Sequence, residues 1–598
     1  MARRFAVHLG LILCPALIFS LTTAGVQAAK PDEFKADLVI LNGHVITVDE
    51  KNPYAQAIAI YGDKIIAVGD SRGIRNLIGE NTKQIDATGK TVVPGFIESH
   101  MHPAATYPDI KMRNHIVNLF EIASMNDLVA ALKAKADITE PEQWVRGVRY
   151  QDTKIGGHPT ADILDRVSTK CMIYITHSSG HITAVNSLAL KMAGITKDTS
   201  DHPAEAPNAV FGRNPDGTPN GVLYEGAGAY VLSKIATKFP VPTPEEERQG
   251  YLNSFKSFNA RGLTSIADAS CNAQKLGVYQ AMIREGRFPI RMNAMMLTDF
   301  NEPAFQTNQN ADDLSTIKAI KALGLNGGFG DSRLRMGLLK LFAGNSLSGR
   351  TCWVSQPYVG SHAKDNPPYF GIQHPLLFPP KGQTAGTLLD RIILEGHKAG
   401  FQWAVHSNGD KEIELLLDAY EKALKAYPRA NHRHRIEHAS VMRKDLLERA
   451  KGLGVIINFH PYLFEHGDKM TDFGRERFSW LFPYKTAIEL GVTVAGHSDW
   501  SVSLADPLLK IQDMVTRKSK EGNVYGADQT VSPEVALRVW TLGNAYASFE
   551  ENIKGSIEVG KLADIVILSG DPTKTNSESI KDIQVEKTIL GGEIVYSR

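Results

Sequence analysis

Cysteine is scarce in this chain, which contains only four in 598 residues. Cys14 lies near the N-terminus, and Cys171, Cys271 and Cys352 lack the close spacing of zinc-binding cysteines. This shortage excludes a small disulfide-stapled fold and a cysteine-rich metal site. The three later cysteines are predicted to be small buried apolar residues, and at most one disulfide can join two of them.

An excess of charge of either sign is also missing. The 66 Lys and Arg residues almost balance the 65 Asp and Glu residues, which leaves a formal net charge of +1. Because the chain has no basic tract, nucleic acid is not a predicted partner. The predicted partner is a small neutral or weakly polar molecule. A hydrophobic content of 43% allows a large folded core. The oligomeric state stays open, with a homo-oligomer among the alternatives.

Beyond the N-terminus, no apolar run is long enough to cross a bilayer. The N-terminus itself carries Arg3 and Arg4, an apolar run over residues 9–21, and a Val26-Gln27-Ala28 sequence typical of signal-peptide cleavage sites. We therefore predict a signal peptide over residues 1–29 and a periplasmic or secreted mature protein without a stable membrane span. An uncleaved anchor is the alternative, and Sec export is not distinguished from twin-arginine export.

Both ends of the remaining chain have the pattern of short β-strands. Residues 36–92 alternate apolar and polar side chains between turns such as Asn42-Gly43, and residues 561–596 do the same. Neither end can close a core alone. We therefore predict that residues 30–92 and 552–598 pair into one composite β-sandwich.

The middle of the chain, residues 93–551, alternates short apolar runs with amphipathic helices such as 411–426 and 533–546, which favours a parallel sheet. Eight runs are predicted as strands, the number that a (β/α)8 TIM barrel needs: 92–99, 263–268, 290–297, 334–342, 402–406, 435–438, 455–459 and 492–497. The predicted fold class is thus α/β, a metal-dependent barrel with a composite sandwich. The run 171–176 does not fit this count, so residues from about 103 to 241 are predicted to form a large insertion after the first barrel strand.

Several predicted strands end in residues that can bind metal. His100 and His102 end the first strand, and side chains two apart on a strand face the same side, so both can reach one ion. His406 and His438 end later strands, and Asp499 follows the last. Because these ends meet at one mouth of a barrel, they predict a two-metal hydrolytic site. Each residue alone also has a structural interpretation, which for Asp499 is a helix N-cap.

Lys340 stands inside the apolar strand Leu-Arg-Met-Gly-Leu-Leu-Lys-Leu-Phe. Burial of a free ammonium group is costly, so an ion-paired or snorkelling lysine is one interpretation. The other is a neutral amine that adds CO₂ and becomes a carbamate. A carbamate can bridge two metals as a long carboxylate does.

Eight segments form a larger pattern: VVPGFIESHMHP (92–103), GHITAVNSLAL (180–190), DGTPNGVLYEGA (216–227), LRMGLLKLF (334–342), AVHSNGD (404–410), RIEHAS (435–440), GHSDWSVSLADPL (496–508) and GSIEVGKLADIVIL (555–568). Together they resemble the amidohydrolase superfamily, and within it the amidohydrolase-3 branch that includes N-substituted formamide deformylases. The likeness covers nearly all of the chain after the signal peptide. It implies a metal-bearing (β/α)8 barrel with a β-sandwich made from both chain ends.

The resemblance also implies roles for individual residues. It places His100 and His102 on the more buried metal and His406 and His438 on the second metal. Lys340 becomes the carboxylated bridge, and Asp499 a ligand and proton shuttle. Two divalent ions are implied, and ligands of this type suit zinc.

Three positions depart from the family pattern. Gly344-Asn345-Ser346 stands where relatives often have Asp-Gly-Ser, which bears on substrate recognition. His460 lies in an altered strand end, where it either polarises the scissile carbonyl or fills the barrel mouth. Glu98 replaces a common Asp and is interpreted as a residue that supports the ligands.

The implied reaction is hydrolysis of a C–N bond other than a peptide bond, in a small N-substituted amide or formamide. A metal-bridging hydroxide attacks the carbonyl carbon, and Asp499 carries the proton to the leaving nitrogen. A cyclic-amide hydrolase or deaminase on the same scaffold is the alternative. Deaminases usually carry His-x-x-Glu, and Gly409 stands three residues after His406. A non-catalytic exported binding protein is the alternative of another class.

The predicted insertion supplies His181 and Glu225, which lie in family-like segments and either face the pocket or are structural. Five aromatic residues near predicted strand ends suggest an apolar wall, although such residues are more often core: Trp353, Tyr358, Phe459, Tyr462 and Trp500.

Overall fold

The computed structural model of the chain describes residues 35–104, 116–239, 242–298, 315–362, 367–378 and 386–598. The predicted signal peptide and Cys14 lie outside these described residues. The fold is mixed α/β, with four sheets in the described ranges. No helix in those ranges is long and apolar enough to cross a membrane.

Short strands open the described chain: β1 (Leu38–Leu41), β2 (His44–Ile46), β3 (Tyr54–Ala55), β4 (Ala57–Tyr61), β5 (Lys64–Gly69), β6 (Lys83–Asp86) and β7 (Thr91–Pro94). One sheet has the order β5-β4-β1-β6. Strand β1 is buried on both faces, because side chains alternate along a strand. Leu38 and Ile40 enter one apolar cluster, and Val39 enters another.

The first barrel strand, β8 (Phe96–Met101), is followed by a sheet of its own. Its strands are β9 (Ile116–Asn118), β10 (Trp144–Tyr150), β11 (Met172–His177), β12 (Ile182–Val185), β13 (Ala209–Arg213) and β14 (Pro219–Glu225), in the spatial order β13-β14-β12-β11-β10-β9. Helices cover it at Met125–Ala136, Asp152–Ile155, Ala161–Asp165, Ser187–Met192 and Ala227–Lys234. The run 171–176, which had no place in the barrel, is therefore a strand of the inserted sheet.

The barrel resumes with β15 (Leu263–Cys271), β16 (Arg291–Leu297), a short β17 (Phe329–Gly330), β18 (Leu334–Phe342), β19 (Gln402–Ser407), β20 (Arg435–His438), β21 (Ile456–Phe459) and β22 (Val494–Gly496). The sheet order β22-β21-β20-β19-β18-β16-β15-β8 contains eight strands, with parallel ladders throughout, and β17 pairs with β18 at the side. The predicted (β/α)8 barrel is confirmed. Its helices include Pro244–Asn259, Ala273–Arg284, Ser315–Ala322, Leu388–Lys398, Asp410–Ala426, Lys444–Leu453, Tyr484–Glu489, Pro507–Thr516 and Pro533–Arg538.

Hydrogen bonds between the ends of β8 and β22 nearly close this barrel. The Ser99 hydroxyl donates to the Gly496 carbonyl at 2.8 Å, and the Asp499 N–H donates to the His100 carbonyl at 3.2 Å. Gly95, just before β8, permits close packing there, since a Cβ atom would lie 2.2 Å from Thr264 Oγ1.

The periodicity of residues 533–546 predicts one regular helix, but the structure contains an interrupted one. After Pro533–Arg538 the backbone forms a π-helical turn over Val539–Gly543, and α-helix resumes at Asn544–Tyr546. The Thr541 hydroxyl donates to the Leu537 carbonyl at 2.7 Å and so competes for backbone hydrogen bonds. Just after this turn, the Asn544 side-chain amide donates to the Ile97 carbonyl of β8 and the Gly496 carbonyl of β22.

Three C-terminal strands return to the N-terminal ones: β23 (Ile565–Leu568), β24 (Val585–Leu590) and β25 (Glu593–Ser597). Strand β23 pairs antiparallel with β7, which places strands from both chain ends in the order β25-β24-β23-β7-β2-β3. The guanidinium of Arg291 on β16 donates two hydrogen bonds to Asp564, at 2.7 and 2.9 Å. This buried pair attaches the sheet that contains strands from both chain ends to the barrel.

Cys171, Cys271 and Cys352 are buried and unpaired. Cys271 belongs to the apolar core of the barrel, and Cys171 to that of the inserted sheet. Burial raises the pKa of the Cys271 thiol, so this sulfur is an apolar filler and not a thiolate ligand.

Candidate metal centre

His100 and His102 lie at the end of β8, where the strand opens into the barrel mouth. His100 is fully buried, and its Nδ1 donates to Glu437 Oε2 at 2.5 Å. Burial alone would raise the pKa of Glu437, but Arg435 outweighs it and lowers that pKa. The carboxylate therefore holds the His100 proton on Nδ1, which leaves Nε2 free to bind a cation.

Asp499 stands between His100, in β8, and His102, just after it. Its Oδ1 lies 3.5 Å from His100 Nε2 and 3.3 Å from His102 Nε2. Within the described ranges this buried oxygen has no hydrogen-bond partner. One ligand atom from each of the three residues lies within 4.8 Å of the others. Two imidazoles and a carboxylate at this spacing fit a divalent cation such as zinc.

Lys340 points from β18 into the same space. Its Nζ lies 3.2 Å from His100 Nε2, so the amine donates to the lone pair that His100 keeps there. Burial lowers the pKa of Lys340 to about 8, against the opposing effects of Glu437 and Asp499. An amine with this pKa is partly neutral at physiological pH, which is the form that adds CO₂.

His406 and His438 meet beside this group, with ring centroids 4.4 Å apart. His406 Nε2 lies 3.1 Å from the Asn345 carbonyl, to which it can donate, and Nδ1 then remains for a cation. His438 Nδ1 lies 3.9 Å from Asp499 Oδ2, and its buried Nε2 has no partner among the described residues. The structure thus brings together all six predicted ligand candidates.

Two of these ligands have backbone conformations that sequence does not reveal. His438 has φ of +71° and Asp499 has φ of +54°, both in the left-handed region that non-glycine residues rarely occupy. Such strain is common at functional sites. Asp499 is not the cap of the following helix, since the Asp506 side chain accepts the Leu509 N–H at 3.2 Å.

His497 is the main residue that the sequence analysis passed over. It is fully buried, and neither ring nitrogen has a partner in the described part of the chain. Its ring lies 4.7 Å from that of His100, 4.8 Å from His438 and 4.9 Å from His460. His438, His460 and His497 form a second group able to hold an ion. The available signal was position, because His497 directly follows the last barrel strand, β22.

Five buried histidines of the mouth are neutral in this environment. Burial, followed by repulsion from nearby cationic groups, sets the pKa of each well below its usual value. Neutral imidazole is the form that binds metal. The five histidines concerned are His100, His406, His438, His460 and His497. His460 Nε2 also lies 3.0 Å from the Ser503 hydroxyl.

Glu98 connects the two strands that close the barrel. Its carboxyl group accepts the His100 N–H at 3.1 Å and the Ser498 N–H at 3.0 Å. Burial raises its pKa to about 8, although these hydrogen bonds oppose the shift. Glu98 therefore fixes the backbone at His100 and at Ser498, next to Asp499.

The predicted aromatic wall divides into core and mouth. Tyr358, Phe459 and Tyr462 are almost fully buried and belong to the barrel core. Trp353 and Trp500 are half-buried and pack on the edge of that core. The inserted sheet reaches the mouth through His181, whose ring lies 5.2 Å from that of His406.

Comparison with known proteins identifies the family. The amidohydrolase family model matches residues 83–596. The chain belongs to the amidohydrolase family. This amidohydrolase is 26% identical to the N-substituted formamide deformylase of Arthrobacter pascens over 569 residues, which cover 94% of this chain and 98% of the relative. It is also 26% identical to the Bacillus subtilis protein YtcJ, over 93% of this chain and 98% of YtcJ.

Solved structures agree on the fold of this amidohydrolase. An uncharacterized metal-dependent hydrolase of Pyrococcus horikoshii is similar with a TM-score of 0.66 and 23% identity, covering 90% of this chain and 99% of that one. A second, from Pyrococcus furiosus, has a TM-score of 0.63 and 25% identity, covering 90% of this chain and 100% of that one. The fold is that of the metal-dependent hydrolases.

Proposed function

We propose that this hydrolase cleaves the C–N bond of a small N-substituted amide or formamide. The observation that carries the proposal is the convergence of His100, His102, Asp499, Lys340, His406 and His438 at one barrel mouth. The similarity to an N-substituted formamide deformylase along nearly the whole chain supports this substrate class.

Two divalent cations are proposed to occupy this mouth, and zinc is the first candidate metal. His100, His102 and Asp499 would hold one, and His406 and His438 the other, with carbamylated Lys340 between them. When bound, the cations polarise the scissile carbonyl and make water acidic enough to attack at neutral pH. Asp499 lies beside His100 and His102, where it takes the proton of the attacking water and delivers it to the leaving nitrogen.

The proposed bridge is tested by Lys340→Ala. We expect the variant to lose the second cation and more than tenfold of its activity, because alanine cannot form the carbamate proposed to hold that cation. Small carboxylic acids should restore part of the bound second cation and part of the activity. Metal analysis and the mass of the intact protein measure this, and an active two-metal enzyme with an unmodified Lys340 contradicts the bridge.

The substrate class is tested with a panel of N-formyl and N-acyl amines, assayed for release of both acid and amine by zinc- or manganese-loaded protein. The double variant His100→Ala/His102→Ala should be inactive. His202→Asn changes an exposed histidine of the insertion and should match the wild type. Ring opening of cyclic amides or ammonia release from aminated rings alone would favour the alternative hydrolases, and metal binding without turnover would favour a binding protein.

Export remains part of the proposal. The residues over positions 1–29 carry the pattern of a signal peptide, so the mature chain should begin near Ala29 or Lys30 outside the cytoplasm. N-terminal sequencing of the native protein from cell fractions tests this. Recovery of the chain in membranes with residues before Gly25 retained supports an anchor instead.

A further inference from the structure

The inserted sheet places a hydrogen-bonded pair of side chains at the barrel mouth. His181 directly precedes β12, and Glu225 ends β14, which pairs antiparallel with β12. The Glu225 N–H donates to the His181 carbonyl at 2.7 Å, so the two residues are fixed opposite each other. Neither belongs to the barrel, yet the His181 ring lies 5.2 Å from that of His406.

The Glu225 carboxylate is held from two sides. Its Oε2 accepts a hydrogen bond from His181 Nδ1 at 2.6 Å, and its Oε1 accepts one from the Thr351 hydroxyl at 2.5 Å. Thr351 lies in the loop after β18, so the carboxylate connects the insertion to the barrel. Glu225 has φ of +52°, an unfavourable conformation for a residue with a side chain. A strained, almost fully buried carboxylate with both oxygens occupied orients its histidine closely.

This orientation leaves one ring nitrogen of His181 for another molecule. Because Nδ1 donates to Glu225, the neutral ring keeps a lone pair on Nε2. Among the described residues, Nε2 has no hydrogen-bond partner, and the side chain is 18% exposed. His181 Nε2 can therefore accept a hydrogen bond from a molecule that enters the barrel mouth.

We propose that His181 Nε2 accepts a hydrogen bond from the N–H of a secondary amide substrate. This rests on the proposed amide hydrolysis and specifies its substrate class. Cations bound at the mouth would polarise the acyl carbonyl, so the polar group of a secondary amide that is left for a side chain to recognise is its N–H, a donor. Oriented by Glu225, His181 is the matching acceptor, and the enzyme selects N-monosubstituted amides over N,N-disubstituted ones.

Matched substrates test the proposal: N-benzylformamide and N-benzyl-N-methylformamide, which lacks the N–H. Wild-type kcat/KM should favour the first by at least tenfold. His181→Phe keeps a ring but removes the acceptor, and should lower kcat/KM for the secondary amide roughly 10–100-fold, the size of one hydrogen bond at a desolvated site. For the tertiary amide, kcat/KM should change less than threefold. Equal losses for both substrates, or none, overturn the proposal.

Binding to a slow variant separates this inference from the proposed reaction. In metal-loaded Asp499→Asn protein, calorimetry should show tighter binding of N-benzylacetamide than of its N-methyl analogue, and His181→Phe should abolish the difference. An absent preference in the Asp499→Asn background overturns the inference, whereas a failed hydrolysis panel with the preference intact rejects only the proposed reaction.

Glu225→Gln tests the orienting role. It keeps the shape and weakens the hydrogen bond to Nδ1, so the preference for the N–H should fall partway toward that of His181→Phe. His202→Asn is the matched control in the same insertion and should leave the preference intact. Circular dichroism and unfolding midpoints confirm that each variant is folded. A variant of Glu225 that is folded and keeps the full preference contradicts the orienting role.

Discussion

The barrel has a histidine cluster at each end, and the two differ in how their ring nitrogens are used. His434 precedes β20 and His438 ends it, so one strand joins the two clusters. At the lower end, His397 Nε2 donates to the Tyr427 carbonyl at 2.6 Å and its Nδ1 accepts from His434 Nε2 at 2.9 Å. His434 Nδ1 accepts the Trp403 N–H at 3.1 Å. His432 bonds the Leu453 carbonyl and the His434 N–H.

At the mouth the pattern is reversed. His438 Nε2 and both nitrogens of His497 are buried without partners among the described residues. Burying an unpaired imidazole nitrogen costs free energy, and a bound cation recovers it. The difference teaches that burial does not separate a structural histidine from a ligand. All six ring nitrogens of the lower cluster have protein partners, whereas three at the mouth have none among the described residues, and we therefore interpret the lower cluster as structural.

Removal of metal should produce the largest difference between the two ends. Dialysis against a strong chelator is expected to abolish hydrolysis, and zinc or manganese should restore it. The lower cluster needs no cation, so far-UV circular dichroism should retain the folded signal. Metal analysis with activity measures this, and full activity in metal-free protein would refute the metal-dependent mechanism.

Asp499→Asn sharpens the comparison at the mouth. It keeps the shape of the side chain and removes the base, so kcat should fall by roughly 10²–10⁴. At least one cation should remain, because the histidines are unchanged. Asp506→Asn is the matched control, since it alters a helix cap and an ion pair with Arg261 and should cost about 1 kcal/mol of stability. Near-normal kcat in the metal-loaded Asp499→Asn enzyme would show that another residue transfers the proton, and His460 would be the first candidate.

His497→Ala tests whether an unpaired buried histidine serves the cations. It should weaken binding of the second cation by roughly 10–100-fold, the usual effect of losing a residue close to a metal. Titration of the metal-free protein with zinc measures the affinity. An unchanged affinity in a folded variant would show that His497 is only packed there.

His434→Gln tests the structural cluster and should have the smallest effect on function. Loss of its hydrogen bonds should destabilise the protein by roughly 1–3 kcal/mol near pH 7.5, with kcat within twofold of wild type. Burial lowers the pKa of His397, His432 and His434 below 6.5, so the folded state keeps them neutral.

Acidification should shrink that difference in stability. Below pH 6.5 the unfolded chain binds protons that the folded cluster excludes, so the stabilisation is present above this pH and is lost as the pH falls. Urea unfolding of metal-free wild type and His434→Gln at pH 7.5 and 5.5 measures the difference between their free energies of unfolding. If this difference is as large at pH 5.5 as at pH 7.5, these histidines do not titrate on unfolding.

Much of the barrel was predictable because its evidence is local. Apolar runs of strand length, such as Leu334–Phe342 and Arg435–His438, coincide with observed strands. The histidine and aspartate candidates were predictable because they end or follow such runs, and parallel strand ends must share one mouth. Lys340 was predictable because a lysine inside an apolar strand is unusual. The inserted sheet was not, because its strands pair across loops whose length carries no periodic signal. The π-helical turn at Val539–Gly543 was missed because a hydroxyl-to-carbonyl bond breaks the helix inside a regular apolar pattern.

By itself, the sequence determined the α/β class, the strands and the residue types at their ends, since these follow from side-chain periodicity and the chemistry of each residue. Only the tertiary structure decided which nitrogens are left unpaired, as in His434 against His497. It alone brought Glu225 to Thr351 across 126 positions of chain. The physical reason is that hydrogen-bond satisfaction depends on partners distant in sequence, whereas strand formation depends largely on neighbours.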